Sequence, residues 1–504
     1  MEDVIRLFES LSVGKNQIEV LEQLKAFFVA LPAGYLRQHA PNIDFRDVFE
    51  CLKTSDKKQV QLTCEVIRKI CKNLCPDQVY LKYKDNYLEC LNHSEPLPRE
   101  VILEQLQLVL RAGSPNVMTD LCQNEELVYK CGSLIGDDEL SVAKEAQRFL
   151  FLLVSTDCGK NLFFKPSFCH HLENVSTRSE AVRLRLYELF VEISCCSEEY
   201  LNLCLGANLI QPLLAELSGQ DLLVQLNILE LLRSFSLHRH TMLYLINQGI
   251  LDQMNQAVAT RNDNPTSNFL MSGITKLFGV VAHLEPKAVL HKYPAFTSFL
   301  FDTITSRDAN YLSISMETFG FIGETLEGKV ALSEFGNQMD EVFSVFGSIL
   351  RSSSNETRIR CINVLTKLFD LKGQVESNDF LQLMESWFMK LERKPFETIV
   401  NICKQPFEEL RQPALKLLSV LIEQPWCQHL ANSQPGLPEF LMDKAVEPNQ
   451  ECRNTKYDIV AKLSRSPSAK HIFGEGLSKL FQEHFREGPY FFRSQADVAM
   501  ESRQ

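Results

Sequence analysis

Four cysteines, Cys64, Cys71, Cys75 and Cys90, and the run Cys169-His170-His171 are the residues of this chain whose types could hold a metal ion. A structural metal site needs closely paired ligands, typically two cysteines separated by two residues, and neither group has that spacing. On a helix Cys71 and Cys75 share a face, but Cys64 and Cys71 also share an apolar stripe with Ile67, so packing in a core accounts for them. No metal or cofactor is expected. Gly14-Lys15-Asn16, Gly159-Lys160-Asn161 and Gly328-Lys329-Val330 lack the upstream glycine spacing and the hydroxyl that a phosphate-binding loop requires. Nucleophilic catalysis would need a nucleophile, a base and an orienting group gathered from distant positions; with 11 His and 16 Cys, chance pairs abound and none stands out. His238 and His240 flank Arg239 at an expected helix end, where a cation interacts well with the helix dipole. The Asn-x-Ser/Thr matches at Asn92, Asn174 and Asn355 carry weight only in a secreted chain.

The frame that would position any such group is helical and periodic. An apolar residue, another four later and a third three beyond that recur as Val60/Cys64/Ile67, Ile102/Leu106/Val109, Val142/Ala146/Phe149, Val182/Leu186/Leu189, Val224/Ile228/Leu231, Leu270/Ile274/Leu277 and Leu312/Met316/Phe319. The first members lie 42, 40, 40, 42, 46 and 42 residues apart by subtraction. Steps of four and three put each triplet on one helix face, and a fixed period of about 40–47 residues marks armadillo or HEAT repeats. The expected fold is all-α, an armadillo/HEAT-like α-solenoid. A pair or trio of short helices cannot bury its apolar faces alone, so each unit uses its neighbours as its core.

Composition agrees with a packed helical chain. Of 504 residues 45% are hydrophobic, with 21 Gly and 20 Pro, which argues against disorder. Lys plus Arg is 52 and Asp plus Glu 64, a formal charge of −12 without a long block of either sign, so a nucleic acid is not the expected partner. The cysteines are scattered through helical segments, as in a reducing compartment. Met1-Glu2-Asp3-Val4-Ile5-Arg6 lacks the basic start and apolar stretch of a signal peptide. Unbroken apolar runs such as Phe149 to Val154 are too short to cross a bilayer. A cytoplasmic or nuclear location, without membrane contact, is expected.

Polar turns precede several triplets: Ser55-Asp56-Lys57, Gly136-Asp137-Asp138, Gly219-Gln220-Asp221, Ser306-Arg307-Asp308 and Ser353-Ser354-Asn355. Short polar side chains there can accept from the free N–H groups of the next helix. Each unit is expected to place a shorter helix, such as Ile210 to Leu217 with Pro212 in its first turn, before a longer one, such as Leu222 to Leu237. Val4, Leu7, Phe8, Leu11 and then Ile18, Leu21, Leu24, Phe28 predict a helical N-terminal cap broken at Gly14. The polar stretch Thr260 to Asn268 adds four residues to the period and is read as a loop between two halves, 1–260 and 261–485. The second half is less regular: Ile359 with Ile362/Leu365, and then Leu410/Ala414/Leu417, fit only after insertions. Residues 486–504 are expected to form an extended or disordered tail.

In an armadillo-like stack the helix carrying each triplet lines the concave, partner-binding side. Positions three, six and ten beyond a triplet's first member share one flank of that helix. The middle units thereby nominate Glu145, Arg148 and Leu152, then Arg185, Glu188 and Glu192, then Asn227, Glu230 and Ser234 as a protein-binding face of mixed charge. The same positions would also suit the solvated face of any amphipathic helix. Charge reversal at Arg185 together with Glu188 is expected to weaken binding without lowering the melting temperature.

The segments Leu140-Ser141-Val142-Ala143-Lys144, Arg185 to Ser194 (Arg-Leu-Tyr-Glu-Leu-Phe-Val-Glu-Ile-Ser), Glu385-Ser386-Trp387-Phe388, Gln424-Pro425-Trp426 and Glu487-Gly488-Pro489-Tyr490 resemble the proteasome non-ATPase regulatory subunit 5 family. The likeness runs from about Leu31 to Tyr490. It implies a solenoid without enzymatic activity that serves as a chaperone for assembly of the 26S proteasome base. By resemblance the direct partner is the C-terminal domain of one AAA-type ATPase, regulatory subunit 7, in an intermediate that also holds regulatory subunits 4 and 2. The chaperone would be a monomer when free and would leave before the particle matures.

Two other classes remain. An importin-like adaptor would need Trp and Asn recurring on the inner helices to clamp basic peptides, and this chain has only Trp387 and Trp426. An enzyme would need a site that the sequence does not single out.

Overall fold

Short polar side chains cap the helices after three of the expected turns by satisfying N–H groups that have no partner within the first turn, whereas Leu140–Val154 and Leu312–Ile322 start after Glu139 and Tyr311 without a side-chain cap. In the computed structural model, which describes residues 6–8, 10–11, 17–30, 44–261, 265–373, 378–443 and 447–490, Asp56 accepts from the N–H groups of Lys58 and Gln59. Asp221 accepts from Leu223 and Val224, and Ser354 from Thr357. The helices that stack from one repeat to the next, called the long helices below, are α1 (Gln17–Ala30), α2 (Lys57–Asn73), α3 (Pro96–Ala112), α4 (Leu140–Val154), α5 (Glu180–Cys196), α6 (Leu222–Phe235), α7 (Pro265–Leu284), α8 (Leu312–Ile322), α9 (Asn355–Phe369), α10 (Glu408–Leu421) and α11 (Gln450–Arg465), although Gly336–Ser352 and Ala469–Glu487 are as long as or longer than most of them. Among the described residues there is no β-strand. The fold is an all-α, armadillo/HEAT-like solenoid.

Two further helices, not one, separate most consecutive long helices. Asp157–Phe163 and Pro166–Ser176 lie between α4 and α5; Pro286–Lys292 and Pro294–Thr305 lie between α7 and α8. The expected single helix Ile210 to Leu217 is a five-residue helix, Gln211–Ala215, followed by a 3-10 turn, Glu216–Ser218, and it is preceded by Glu198–Gly206. The repeat is therefore a trio of the armadillo kind. Prolines set the extra breaks: Pro115, Pro166, Pro286 and Pro294 each open a helix in its first turn, where a missing N–H costs nothing.

The chain divides into two compact units, Met1–Thr241 and Met242–Gln504. This boundary precedes the one expected at 260/261, because helix Ile250–Ala259 packs on α7 and on Pro294–Thr305 and so belongs to the second unit. Of the expected loop Thr260 to Asn268, residues 265–268 already form the first turn of α7, and 262–264 lie outside the described residues. At the N-terminus Phe8, Leu11, Leu21, Leu24 and Phe28 are buried, whereas Val4 and Gly14 lie outside the described residues. Of the expected tail, Arg486 and Glu487 still belong to helix Ala469–Glu487, and residues 491–504 lie outside the described residues.

In the first unit α1 to α6 pack each on the next, and in the second α7 to α11 do the same. The apolar triplets form these contacts. All their members are buried except Leu231, Leu270 and Leu312, which are half-buried. Val142, Ala146 and Phe149 have no accessible surface at all, and each large side chain so covered stabilises by about 1.5–3 kcal/mol. Alanine at the centre of a triplet, as at Ala146, lets neighbouring helices approach. In the second unit aromatic pairs fill the same role: the rings of Phe278 and Phe296 stack at 4.5 Å, and Phe388 meets Trp426 at 5.0 Å.

Polar side chains tie consecutive repeats about one period apart in sequence. Arg68 Nε donates to Glu104 at 2.8 Å, Arg99 pairs with Asp137 at 2.9 Å, and Gln147 Nε2 donates to the Arg185 carbonyl at 2.8 Å. In the second unit the fully buried Lys329 donates its Nζ to the Glu324 and Lys367 carbonyls, both at 3.2 Å. Burial brings the Lys329 ammonium down to about 8, so it stays protonated at neutral pH and caps a helix end, an arrangement its dipole favours.

A recurring Thr-x-x-Gly step joins a long helix to the next short one. Thr156 and Thr325 accept from the N–H groups of Gly159 and Gly328, and each glycine sits against a carbonyl closing the preceding long helix, Leu153 or Ile322. A Cβ on Gly328 would fall 1.8 Å from the Ile322 oxygen. Gly328→Ala is expected to destabilise by about 1–3 kcal/mol through overpacking. Gly476→Ala, on an exposed helical position with nothing within 4 Å, should instead stabilise by up to about 1 kcal/mol. Urea midpoints of the two variants should move in opposite directions; equal shifts would contradict this account of Gly328.

Candidate functional site

The residues nominated by register stand on the outward flanks of α4, α5 and α6, but they do not form one free surface. On α4, Glu145 is half-buried and forms an ion pair with the exposed Arg148. Gln107 from α3 donates to the Glu145 carboxylate at 2.7 Å and to its carbonyl at 3.2 Å. Leu152 is half-buried. On α6, Glu230 pairs with Arg233 at 2.6 Å, Asn227 donates back to the Leu223 carbonyl at 2.9 Å, and Ser234 donates to the Glu230 carbonyl at 3.4 Å. The flank of α6 is thus satisfied within its own helix.

Helix α5 differs. The Arg185 guanidinium turns away from solvent and donates to the Ile135 and Asp137 carbonyls, both at 3.0 Å, holding the 3-10 turn Leu134–Gly136 that leads into α4. The expectation that Arg185 can be reversed without loss of stability is therefore corrected: two carbonyls depend on it. Glu188 and Glu192, one turn apart and exposed, have no ion-pair partner among the described residues, and Glu188 accepts only a 3.3 Å contact from Gln147. Burial, and then the Glu188 charge, hold the Glu192 carboxyl above its usual range. Two adjacent acids with no compensating base form the one part of the nominated face with unmet electrostatic demand.

A groove of about 690 Å³ was not anticipated. It lies between helices Pro166–Ser176 and Glu198–Gly206, lined among others by Phe164, Leu172, Tyr187, Phe190, Leu203 and Pro212. Its volume falls in the range of ligand-binding clefts. Tyr187 donates to Glu216, which also pairs with Arg183 at 2.9 Å, and this fixes one wall. The groove borders the place where helix Glu198–Gly206 ends, at Gly206 to Leu209, and Pro212 at the start of Gln211–Ala215.

The metal and catalytic candidates take structural places. Cys64, Cys71 and Cys90 are buried and burial pushes their thiols up to about 12, while Cys75 is exposed. Among the described residues no three His, Cys, Asp or Glu side chains gather as metal ligands. His171 lies beside Phe168 and Tyr129 and donates to the Tyr129 carbonyl at 3.0 Å; His170 faces solvent near Glu173. His240 is not at a helix C-terminus as expected but in the first turn of Arg239–Asn247, where it donates to the Ser194 carbonyl of α5 at 2.9 Å. No helix among the described residues is long and apolar enough to cross a membrane.

The whole chain, residues 1–504, matches the model of a family described as Proteasome non-ATPase 26S subunit. The chain belongs to this family. It is similar to the 26S proteasome non-ATPase regulatory subunit 5 of Bos taurus, 30% identical over 501 residues that cover 99% of each chain. The protein of the same name from Homo sapiens is 29% identical, covering 97% of this chain and 96% of its own, and that from Drosophila melanogaster is 24% identical, covering 85% and 83%. Among solved structures the chain is similar to yeast importin-beta, with a TM-score of 0.56 and 13% identity, over 98% of this chain and 64% of that one. That likeness shows the fold alone. The family resemblance read from the motifs around α4, α5 and Trp387 is therefore confirmed. Trp387 and Trp426 are both buried, and the Trp426 indole donates to Gln424 at 2.8 Å, so neither can form part of a surface tryptophan ladder.

The two kinds of residue on α5 should separate in a stability measurement. Arg185→Gln is expected to destabilise by about 1–3 kcal/mol, the cost of leaving buried acceptors without a donor, whereas Glu188→Gln should stay within ~0.5 kcal/mol. Glu192 adds a pH test. Its folded-state pKa is raised, so the stability it contributes is full below the ordinary value of 4.5 and is lost as pH rises through the folded value. Glu192→Gln should therefore raise the urea midpoint at about pH 7 and leave it unchanged at about pH 4; an equal shift at both would refute the assignment.

Proposed function

We propose that this chain is a non-catalytic chaperone for assembly of the 26S proteasome regulatory-particle base. It binds the C-terminal domain of an AAA-type ATPase, regulatory subunit 7, within an intermediate that also contains regulatory subunits 4 and 2, and it leaves before the mature particle forms. The observation that carries this reading is the family match over residues 1–504, together with relatives named as a proteasome regulatory subunit that align along nearly their whole length. The free chain is a monomer in the cytoplasm or nucleus, without cofactor, nucleic acid or membrane.

Physical chemistry supports binding over catalysis. Repeat stacks bury their apolar stripes against one another, leaving polar helix flanks and inter-helix grooves that are available over many units. The unpaired Glu188 and Glu192 favour a partner that brings basic side chains, because charge complementarity across an interface steers association and selects partners. The groove, lined by Leu186, Tyr187 and Phe190 on a face of α5 away from those acids, offers separate apolar surface for an anchoring side chain. The importin-like adaptor is the second reading, and the buried state of both tryptophans weighs against it. Several core thiols are held protonated by burial, which removes them as nucleophiles at neutral pH.

Affinity purification of the full-length chain from cell extract tests the reading. Recovery of ATPase base subunits in stoichiometric amount without the 20S cylinder is expected; recovery of nuclear import cargo alone would reject it. Against the purified partner, Glu188→Lys combined with Glu192→Lys should weaken binding by about tenfold, or ~1.4 kcal/mol, with an unchanged thermal midpoint. Unaltered affinity would remove α5 from the interface.

A further inference from the structure

Helices Pro115–Gln123 and Asp157–Phe163 occupy equivalent places in successive repeats of the first unit and pack against each other. That packing brings Cys122 and Cys158, 36 residues apart in sequence, to a sulfur–sulfur distance of 2.9 Å. Among the described residues no other two thiols lie in hydrogen-bonding contact. Both are half-buried, unlike the cysteines enclosed in the core, so small solutes can reach them. The Cys158 thiol also lies 3.5 Å from the Met118 carbonyl, one turn before Cys122, which holds it over the partner helix. A disulfide requires sulfurs about 2.05 Å apart, so a sub-ångström approach would close the bond without separating the helices.

We infer that Cys122 and Cys158 are a reversible oxidation site, at which a hydroperoxide converts the two thiols to a disulfide linking consecutive repeats. Either sulfur can donate in the contact between them, and burial, then the contact with Cys158, push the Cys122 thiol up to about 12. The two orders of attack balance alike; in one of them Cys158 attacks first. Its thiolate displaces hydroxide from the peroxide O–O bond, giving a sulfenic acid, and the hydroxide takes up the proton released from Cys158 to leave as water. Cys122 attacks the sulfenic sulfur, the S–O bond breaks, and the departing hydroxide takes the Cys122 proton to leave as a second water. In sum, two thiols and one hydrogen peroxide give one disulfide and two waters; a dithiol reductant reverses the bond.

The test uses the full-length chain, reduced and then exposed to hydrogen peroxide. Remaining thiols are alkylated, and the digest is mapped by mass spectrometry without reduction. A linked peptide joining Cys122 to Cys158 is expected, with the mass loss of two hydrogens, and dithiothreitol should restore alkylation at both positions. Cys122→Ser and Cys158→Ser should each abolish that peptide while leaving the helical circular dichroism unchanged. The inference is overturned if Cys122 and Cys158 remain separately alkylated after oxidation of the exposed Cys75 and Cys196, or if either appears only in sulfinic form or in a different pairing. Because the wild-type chain carries the decisive measurement, a variant that fails to fold does not leave the question open.

Discussion

Apolar contact between long helices one repeat apart is the interaction on which the rest of the molecule depends. Val142, Ala146 and Phe149 on α4 are wholly enclosed; helix Glu125–Ser133 and the turn Leu134–Gly136 of their own repeat cover part of α4, and α3 on one side and α5 on the other complete the cover. A repeat removed from its neighbours would expose this stripe, which is why stability in such stacks resides in interfaces as much as in units. Local sequence requirements follow: small residues where helices approach, glycine where a short helix meets the closing carbonyl of a long one, and caps at each re-entry.

Polar side chains refine this packing without driving it. The ties from Arg68 to Glu104, from Gln147 to the Arg185 carbonyl and from Lys329 to the Lys367 carbonyl span nearly the same sequence distance because each links equivalent places in adjacent repeats. The Lys367 carbonyl, in the last turn of α9, is an acceptor that the helix terminus leaves open, whereas that of Arg185 lies inside α5 and takes a second donor. Their net worth is modest while they are intact, but a missing donor leaves a buried acceptor unpaired, which costs more than the bond gains. Arg185 is such a donor, and Glu188, less than one turn away, is not.

The architecture was legible in the sequence because burial imposes the four-and-three spacing directly on residue type. The trio of helices was less so. A short helix such as Gln211–Ala215 has too few residues to show a period, and only Pro212 at its start betrays it. The unit boundary was misplaced for a related reason: polarity at Thr260 to Asn268 reports solvent exposure, whereas the division follows which helices Ile250–Ala259 packs against. At the candidate face, register nominated nine residues but could not tell what each side chain does. Long side chains reach several ångströms along the surface, so Arg185 finds carbonyls from a turn fifty residues earlier in the chain. The groove escaped notice because it arises from where one helix stops, not from a motif.

Stability and the recognition proposed for Glu188 and Glu192 lie close together on α5 yet depend on different physics. Arg185, Leu186 and Leu189 serve the fold, through donated hydrogen bonds and enclosed apolar surface. Glu188 and Glu192 oppose it slightly, since like charges one turn apart on a helix repel and no base lies near to relieve them. An isolated fold has no reason to keep that repulsion when glutamine would fit either position. A partner carrying lysine or arginine would turn the same two charges from a small liability into complementary contacts. In the proposed complex the cost of the unbound state would favour the bound one, and it would leave the apolar stripe beneath untouched.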